Sequence, residues 1–584
     1  MRILFLTRSF NGLAQRLYLE LTALGHEVAI EFDISDAVTT EAVALWRPAL
    51  VVAPFLQRAI PEAVWRHTVC LVVHPGIVGD RGPSALDWAV AEGVCEWGVT
   101  VLQAEAEMDA GPVWASQNFA MREATKSSLY RQEVTEAAAR AVVGAVQRFA
   151  ATGAPPPAAG SGTPRGRWRP LMKQADRAID WPHDDTRTVL RKIRAADGAP
   201  GVRDELFGLP CHLFDARALP PPPSAAHAPG QVVGRRQQAV LRATCDGLVA
   251  IGHVRRADGP EHFKLPATLA FLAETAALDD WPTSVADGTD PDIRLEAIGD
   301  GVLALHFDFY NGAVSTTQCQ RLRNALRDVL ARPPRVLVLF GGTDFWCNGI
   351  HLNVIEAAAS PADESWRNIN AIDDLTQTLI EATDCLVVAA MQGSAGAGGV
   401  FMALAADVVW ARPGVVLNPH YKNMGNLYGS EYWTYLLPRR PGSPQPAEVM
   451  GRRLPLSAGQ AQALGLVDEV FGDSPAAFRA EVLARARRLA ADPDLPARLQ
   501  AKRRQRLHDE ALKPLAAYRD EELARMRRNF YGFDPSYHIA RSNFVRRVAP
   551  SWTPRHLAIH RDPARQGASA APATLDQDQD SGQA

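Results

Sequence analysis

Residues able to do chemistry gather at three places, each beside an apolar run or a glycine-rich loop. The first is His74-Pro75-Gly76, followed by Gly79-Asp80-Arg81-Gly82-Pro83 and later by Glu107-Met108-Asp109-Ala110-Gly111-Pro112. An imidazole held by a carboxylate can shuttle a proton during acyl transfer to or from an amine, and His74 with Asp109 is the pair that suits this. The second is residues 336–353, where an apolar β-branched run breaks at Gly341-Gly342 and reaches a loop at Asn348-Gly349-Ile350. The pattern recurs at 385–390, followed by Gln-Gly-Ser-Ala-Gly-Ala-Gly-Gly (392–399) and an apolar helix opening near Val400. Two strand ends that each spill into a glycine-rich loop can aim two backbone N–H groups at one point. That is how an oxyanion hole is built, and glycine lets the backbone approach closely. The third is 418–435, where His420, Tyr421, Tyr428 and Glu431 can donate, accept or ionise. Plainer readings exist: Glu431 as a charge at a helix start, the tyrosines as packing.

Two other readings of 385–406 fit the residues less well. Gly396-x-Gly398 fits a dinucleotide loop, but the fingerprint's third glycine would be Phe401, and no acidic partner sits on a clear second strand. The stretch is uncharged and long enough to span a bilayer, but its glycines, Gln392 and Ser394 argue for strand and loop.

The elements that must position these residues follow from periodicity. Residues 1–120 alternate strands (3–7, 27–32, 50–53, 70–73) with helices (near 14–24 and 39–46). Runs apolar on both faces, spaced by helices, predict a doubly wound parallel sheet, whose ligands sit at the C-terminal strand ends. That places Pro54-Phe55-Leu56-Gln57, His74 and the loop ending at Asp109 together. Residues 154–164 read as a Pro/Gly linker, 220–223 as a surface insert, and 281–292 as a second break. Residues 474–530 are helical and arginine-rich with interspersed acids, a solvated face rather than a nucleic-acid surface.

At 584 residues, with 47% hydrophobic and 22% charged, the chain is long enough for three or four globular domains. A net charge of −3 gives no pull toward nucleic acid or anionic membrane. Seven scattered cysteines without C-x-x-C fit a reducing cytoplasm, with no disulfide framework and no metal site expected.

The first 150 or so residues resemble the tetrahydrofolate-dependent formyltransferase family, on the order His74, Arg81-Gly82, Gly98-Val99-Thr100 and Asp109-Ala-Gly. The resemblance implies 10-formyltetrahydrofolate as donor, with His74 and Asp109 catalytic. It puts Pro54, Phe55, Leu56 and Gln57 on the pteridine-facing loop and Arg81 and Gly82 in cofactor binding. The family's catalytic Asn is Val72 here. The Ile-Asp-Trp segment at 179–181 and Ile193-Arg194-Ala195 resemble the small β-barrel (OB-like) domain of methionyl-tRNA formyltransferases. Residues 336–353 and 385–406 resemble the crotonase (enoyl-CoA hydratase/isomerase) superfamily, which holds an acyl-CoA thioester oxygen. Carried over, the two donors are the N–H groups of Ile350 and Gly398, with Gly349, His351 and Gly399 beside the coenzyme A site. The superfamily's two hydratase glutamates fall near Phe401 and His420, so the hole is expected without water addition.

The fusion resembles the HypX (HoxX) family of hydrogenase maturation proteins. It implies an α/β multidomain chain: a formyltransferase domain (1–165), a small β-barrel domain (166–280) and a crotonase-fold domain (290–545); residues 560–584, low in hydrophobics and rich in Ala, Gln and Asp towards the end, read from composition as a disordered tail. It further implies formyl transfer to coenzyme A, then decarbonylation to carbon monoxide by Tyr421 or Glu431, with hydrogenase maturation proteins as partners. The alternatives are formyl transfer to another acceptor beside an inactive second module, and a non-enzymatic scaffold. Sharing one coenzyme A leads us to expect a tunnel between the sites.

Overall fold

Strands β1 (Arg2–Thr7), β2 (Glu27–Phe32), β3 (Leu50–Phe55), β4 (Cys70–His74), β5 (Glu96–Gln103) and β6 (Val113–Ala120) form one sheet, in the order β2-β1-β3-β4-β5-β6. The computed structural model describes residues 1–157, 165–220, 227–259, 262–442 and 445–563. The rest of the expected linker, most of the proline-rich insert and the tail from 564 lie outside the described residues. The first four strands run parallel, and β5 and β6 join antiparallel. Side chains alternate along a strand, so a sheet covered on both faces needs apolar residues at every position. Ile3 and Phe5 pack on one face with helices α1 (Gly12–Ala23) and α4 (Thr135–Thr152). Leu4 and Leu6 pack on the other with Trp46 of α2 (Asp36–Trp46). Helix α3 (Ala85–Glu92) follows the His74 loop.

The second domain begins with helix α5 (Thr186–Ala196). Its apolar stripe, Val189, Leu190 and Ile193, covers an antiparallel sheet. Strands β7 (Val202–Leu206), β8 (Leu209–Leu219), β9 (Val232–Arg236), β10 (Ala239–Ala243) and β11 (Leu248–Arg256) order as β7-β8-β11-β10-β9.

The third domain is built on β12 (Ile293–Gly299), β13 (Val302–Phe307), β14 (Val336–Phe340), β16 (Leu386–Met391), β18 (Val408–Ala411) and β21 (Glu469–Val470), neighbours in that order. A smaller sheet, β15 (Phe345–Cys347), β17 (Ser394–Gly396), β19 (Val416–Asn418) and β20 (Leu456–Ser457), lies at its loop end. Around them pack α6 (Thr316–Leu330), α7 (Leu352–Ala357), α8 (Pro361–Ile380) and α9 (Gly398–Leu404), then α10 (Trp433–Leu436), α11 (Pro475–Ala491), α12 (Leu495–Leu512), α13 (Leu515–Tyr531) and α14 (Ser536–Val545). The stretch once open to a bilayer reading is thus strand, strand and short helix. No described helix is long and apolar enough to cross a membrane. The arginines of α11 and α12 mostly pair with acids, as in Arg485–Glu481 and Arg503–Asp384.

One segment ties the domains together. A π-helical turn, Tyr130–Val134, precedes α4 and projects side chains into the third domain. Arg131 Nη1 donates to Asp344 (3.2 Å) and Nη2 to Asn311 (2.8 Å), while Arg412 Nη1 returns to Glu136 at 2.7 Å. Ser127 donates to Asp197 of the second domain at 3.0 Å, and Asp197 also accepts from Tyr310 of the third at 2.8 Å.

The chain then comes back. After α14 it runs along β2, the edge strand, where Ile30 N donates to Leu557 O (3.0 Å) and Phe32 N to Thr553 Oγ1 (2.8 Å). Pairing of this kind covers an otherwise open sheet edge. Fully buried Glu31 receives Thr553, His560 Nε2 (2.9 Å) and Arg561 Nε (2.8 Å). His560 and Arg561, expected in a disordered tail, are therefore part of this strap. Replacing one side of a buried ionic cluster strands the other, so Glu31→Ala should cost about 2–4 kcal/mol, discounted for the partly exposed Arg561. Urea unfolding of the two proteins measures it.

Candidate active sites

Strand β4 ends at His74 because Pro75-Gly76 turns the chain there. A Cβ at Gly76 would lie 2.3 Å from His74 Nε2 and 2.6 Å from Asp80 Oδ2, so only glycine admits the turn. The turn brings Asp80 back under the ring: His74 Nε2 is 3.0 Å from Asp80 Oδ2, both side chains buried. The other ring nitrogen, Nδ1, is 3.6 Å from Asp109 Oδ2, which also accepts from Gly82 N at 3.1 Å. The imidazole thus stands between two carboxylates. Asp80 Oδ1 makes no hydrogen bond, and Arg169 Nε lies 3.7 Å from it. Asp109 lies within reach of the ring, but Asp80 is the nearer partner and carries no role in the sequence reading. The signal for it was an acid six residues after the histidine, across a turn with two glycines.

Pro54 is buried at the end of β3, Phe55 and Leu56 are half-buried, and Gln57 is exposed. The Phe55 ring meets Tyr130 edge-on at 6.3 Å. Arg81 pairs with Glu107 at 2.7 Å. Val72 sits within β4, opposite Ala53 and Leu102.

In the third domain, parallel strands β15 and β17 bring the two glycine loops side by side. The backbone at Ile350 is fixed on both sides: Val314 N donates to Gly349 O (2.9 Å) and His351 N to Asn368 Oδ1 (3.0 Å). A Cβ at Gly349 would sit 3.6 Å from Gly398 N, so the two loops face each other closely. A Cβ at Gly399 would lie 2.0 Å from Cys347 O. His351 caps α7, its Nδ1 accepting from Val354 N at 3.3 Å, and burial pulls it down to about 3.

Glu431 completes this site. A Cβ on Gly398 would lie 2.0 Å from Glu431 Oε1, so the carboxylate rests directly against the second loop. Tyr421 Oη donates to Glu431 Oε2 at 2.6 Å, and the Tyr421 ring stacks on Phe401 at 5.9 Å. Glu431 is 1% exposed, which rules out a solvated charge at a helix start. Its backbone, with that of Tyr432, is left-handed (φ 60° and 58°), and α10 begins only at Trp433. Burial and then the Asp373 carboxylate push Glu431 up to about 8. Burial and then Glu431 hold the Tyr421 phenol far above its ordinary value. Glu522, which accepts from Tyr432 N (3.0 Å) and Thr434 N (2.8 Å), is also pushed by burial to about 8.

The other two candidates stand elsewhere. His420 is buried with neither ring nitrogen hydrogen-bonded, and burial, then His556 and Arg453, lower it to about 4. Tyr428 is half-buried under Arg525, 4.8 Å from its ring, and beside Trp433.

Between the first and third domains lies a cavity of about 320 Å³, lined by Gln15, Tyr130, Arg131, Asn348, Arg412 and Asn418 among others. It reaches Tyr130, which meets the Phe55 ring, and Asn348, two residues before Ile350. Neither His74 nor Ile350 lines it, so the expected tunnel is not traced from end to end.

Three family models match the chain: formyl transferase over residues 31–146, formyl transferase C-terminal domain over 171–262, and enoyl-CoA hydratase/isomerase over 301–552. The hydrogenase maturation factor HoxX of Bradyrhizobium diazoefficiens is 55% identical over 561 residues, 96% of this chain and 97% of that protein. A methionyl-tRNA formyltransferase of Ralstonia nicotianae is 24% identical over 238 residues, 40% of this chain and 70% of that protein. The crystal structure of HypX from Aquifex aeolicus in complex with tetrahydrofolic acid superimposes with a TM-score of 0.89 at 46% identity. It covers 96% of this chain and 99% of that one.

The buried acids make stability depend on pH. Glu431 and Glu522 bind protons in the fold up to about 8, above the ordinary carboxyl value of 4.5, so their contribution is lost as pH rises through that interval. His351 and His420 act oppositely, but only below the ordinary histidine value of 6.5. Lys264, lowered by burial to about 8, acts mainly above that pH. From about pH 7 to about 8 the carboxylates dominate, so the melting temperature should fall by a few degrees. Glu522→Gln keeps an acceptor for Thr434 but cannot ionise, and calorimetry should find the fall shallower in that variant.

Proposed function

The chain belongs to the HoxX (HypX) family of hydrogenase maturation factors, and from that premise we propose that it makes carbon monoxide for the active site of nickel–iron hydrogenase. It carries formyltransferase and enoyl-CoA hydratase/isomerase modules in one chain. In the proposed first step, the formyl group of 10-formyltetrahydrofolate passes to the thiol of coenzyme A. The C–N bond breaks, a C–S bond forms, and the thiol proton ends on the folate nitrogen. His74, between Asp80 and Asp109, is suited to carry that proton. A thiol, once ionised, is a strong nucleophile, which suits a site with Val72 where the formyltransferase family has an amide.

In the second step formyl-CoA loses its formyl proton to a base, the C–S bond breaks, carbon monoxide leaves and the sulfur takes up a proton. No oxidant or reductant is needed. Glu431 is the base in this reading, Tyr421 the donor in contact with it, and the N–H groups of Ile350 and Gly398 hold the formyl oxygen. The observation that carries the proposal is the Glu431 carboxylate, buried against Gly398 and bonded to Tyr421 at 2.6 Å. A general base works best with a value near the operating pH, and Glu431 lies there. The cavity between the modules, with Gln15, Arg131 and Asn348 in its walls, fits a coenzyme arm that must serve both.

The test uses purified protein, 10-formyltetrahydrofolate labelled in the formyl carbon, coenzyme A, and haemoglobin as a headspace trap. Labelled carbon monoxide should form only with coenzyme A present; tetrahydrofolate production without it would favour another acceptor. Glu431→Gln should lower carbon monoxide release about a hundredfold or more while folate turnover persists, whereas His74→Ala should suppress both. Gly398→Ala places a methyl group on the Glu431 carboxylate, and formyl-CoA should accumulate in place of carbon monoxide. Unchanged release in all three variants would remove the reading.

A further inference from the structure

We propose that Asp373, on α8 behind the third-domain site, is the positioning residue for Glu431: it holds the 430–431 backbone in place, and its charge keeps a proton on the pair. The inference rests on the reading of Glu431 as the group that takes the formyl proton. Asp373 is completely buried, on the helix face shared with Ile369, Ile372 and Thr376. Its Oδ1 accepts from Glu431 N at 2.8 Å, and its two oxygens lie 2.9 and 2.7 Å from Ser430 Oγ. These bonds fall where the chain takes the left-handed conformation at Glu431, which L side chains adopt only when the surroundings fix it.

A neutral amide would satisfy the same two donors, so the choice of a carboxylate points to charge. Glu431 is faced by Asp373, Tyr421 and Glu522, and the thiols of Cys319 and Cys347 lie within its field. Asp373 is faced by Arg519, Asp374, Ser430 and Glu431. Arg519 Nε stands 3.9 Å from Asp373 Oδ2, but the guanidinium is already bonded to Asp374 at 2.7 Å and to Asn370 O at 3.1 Å. Three buried carboxylates, Asp373, Glu431 and Glu522, therefore lie in one another's field, with the part-committed Arg519 guanidinium set against Asp373. Like charges this close cannot all ionise, and the protons belong to the cluster rather than to one residue. Burial raises Asp373 and Glu431 alike.

Two readouts test this on the full-length protein. One is the pH profile of carbon monoxide release. The other is infrared titration of the Glu431 carboxyl, taken as the difference between each protein and its Glu431→Gln counterpart, which needs no turnover. Asp373→Asn keeps an oxygen for Glu431 N–H and Ser430 Oγ but removes the charge, so the Glu431 carboxyl should titrate lower by about one unit or more. The acid limb of the rate profile should move with it. Arg519→Gln should shift both upward, and it carries the test should Asp373→Asn not fold. Ser430→Ala removes a hydrogen bond and no charge, so it should lower the rate without moving the limb. A Glu431 carboxyl that titrates alike in wild type, Asp373→Asn and Arg519→Gln overturns the proposal. An infrared shift in a protein whose carbon monoxide release ignores Glu431→Gln upholds the coupling and removes the catalytic reading instead.

Discussion

The segment from Lys126 to Glu136 is the constraint on which the architecture depends. It belongs to the first domain, yet its polar side chains find partners in the other two: Ser127 on Asp197, Ser128 and Arg131 on Asp344, Gln132 on Thr343 O, Glu136 on Arg412. A desolvated charge must be paired, and breaking one such pair strands the other at about 3–5 kcal/mol. The domains therefore cannot drift apart singly. The π turn at Tyr130–Val134 matters because an extra residue in the turn re-aims its side chains. Arg131 lies over the Phe345 ring at 4.8 Å while gripping Asp344, which anchors the start of β15 and the first glycine loop beyond it. The same segment thus fixes one wall of the inter-domain cavity and the loop that ends at Ile350.

The electrostatics of the third-domain site follow from that closure. Burial acts on every ionisable group there, but in opposite senses on acids and bases. His351 and His420 are driven to about 3 and 4 and stay neutral near pH 7, so neither offers an imidazolium. Glu431 is driven upward into the range where it can both hold and release a proton. The Tyr421 phenol stays protonated and donates to Glu431. Among the candidates in 418–435, burial with the Asp373 charge sets Glu431 apart, and the bond to Glu431 sets Tyr421 apart from His420 and Tyr428.

Much of this was legible in the sequence, and the gaps have physical causes. The strands of the first and third domains announce themselves because a two-faced sheet leaves continuous apolar runs, and the glycine loops because nothing larger fits at Gly398 and Gly399. The third domain's register sets the loops of Ile350 and Gly398 face to face. Asp80 was missed because spacing along a chain carries no distance across a turn. Asp373 and Glu522 were invisible for a stronger reason: Asp373 is 58 residues from Glu431, on a helix whose other acids are exposed or half-buried. His420 and Tyr421 are neighbours with equal claims in the sequence, and only the backbone decides that one meets Glu431 and the other faces His556. His560 and Arg561 read as the start of a tail, because the energy of the strap lies in Glu31 and an uncovered strand edge more than 500 residues earlier.

In the proposed reaction the proton count explains why an acid paired with a phenol, rather than a histidine, is suited to the second step. Decarbonylation of a formyl thioester removes one proton from carbon and delivers one to sulfur, with no net gain or loss. A site that began with a buried imidazole would have to create an imidazolium among apolar walls, and desolvation opposes that charge, as it does at His351 and His420. An ionised Glu431 becomes neutral on taking the formyl proton, which the same walls favour. The negative charge passes to the sulfur, beside the Tyr421 hydroxyl released from its bond to Glu431. Proton return then restores the starting state without water or an outside buffer. Burial and the mutual charges of Asp373, Glu431 and Glu522 keep the carboxylate from becoming so stable that it stops being a base in the proposed reaction.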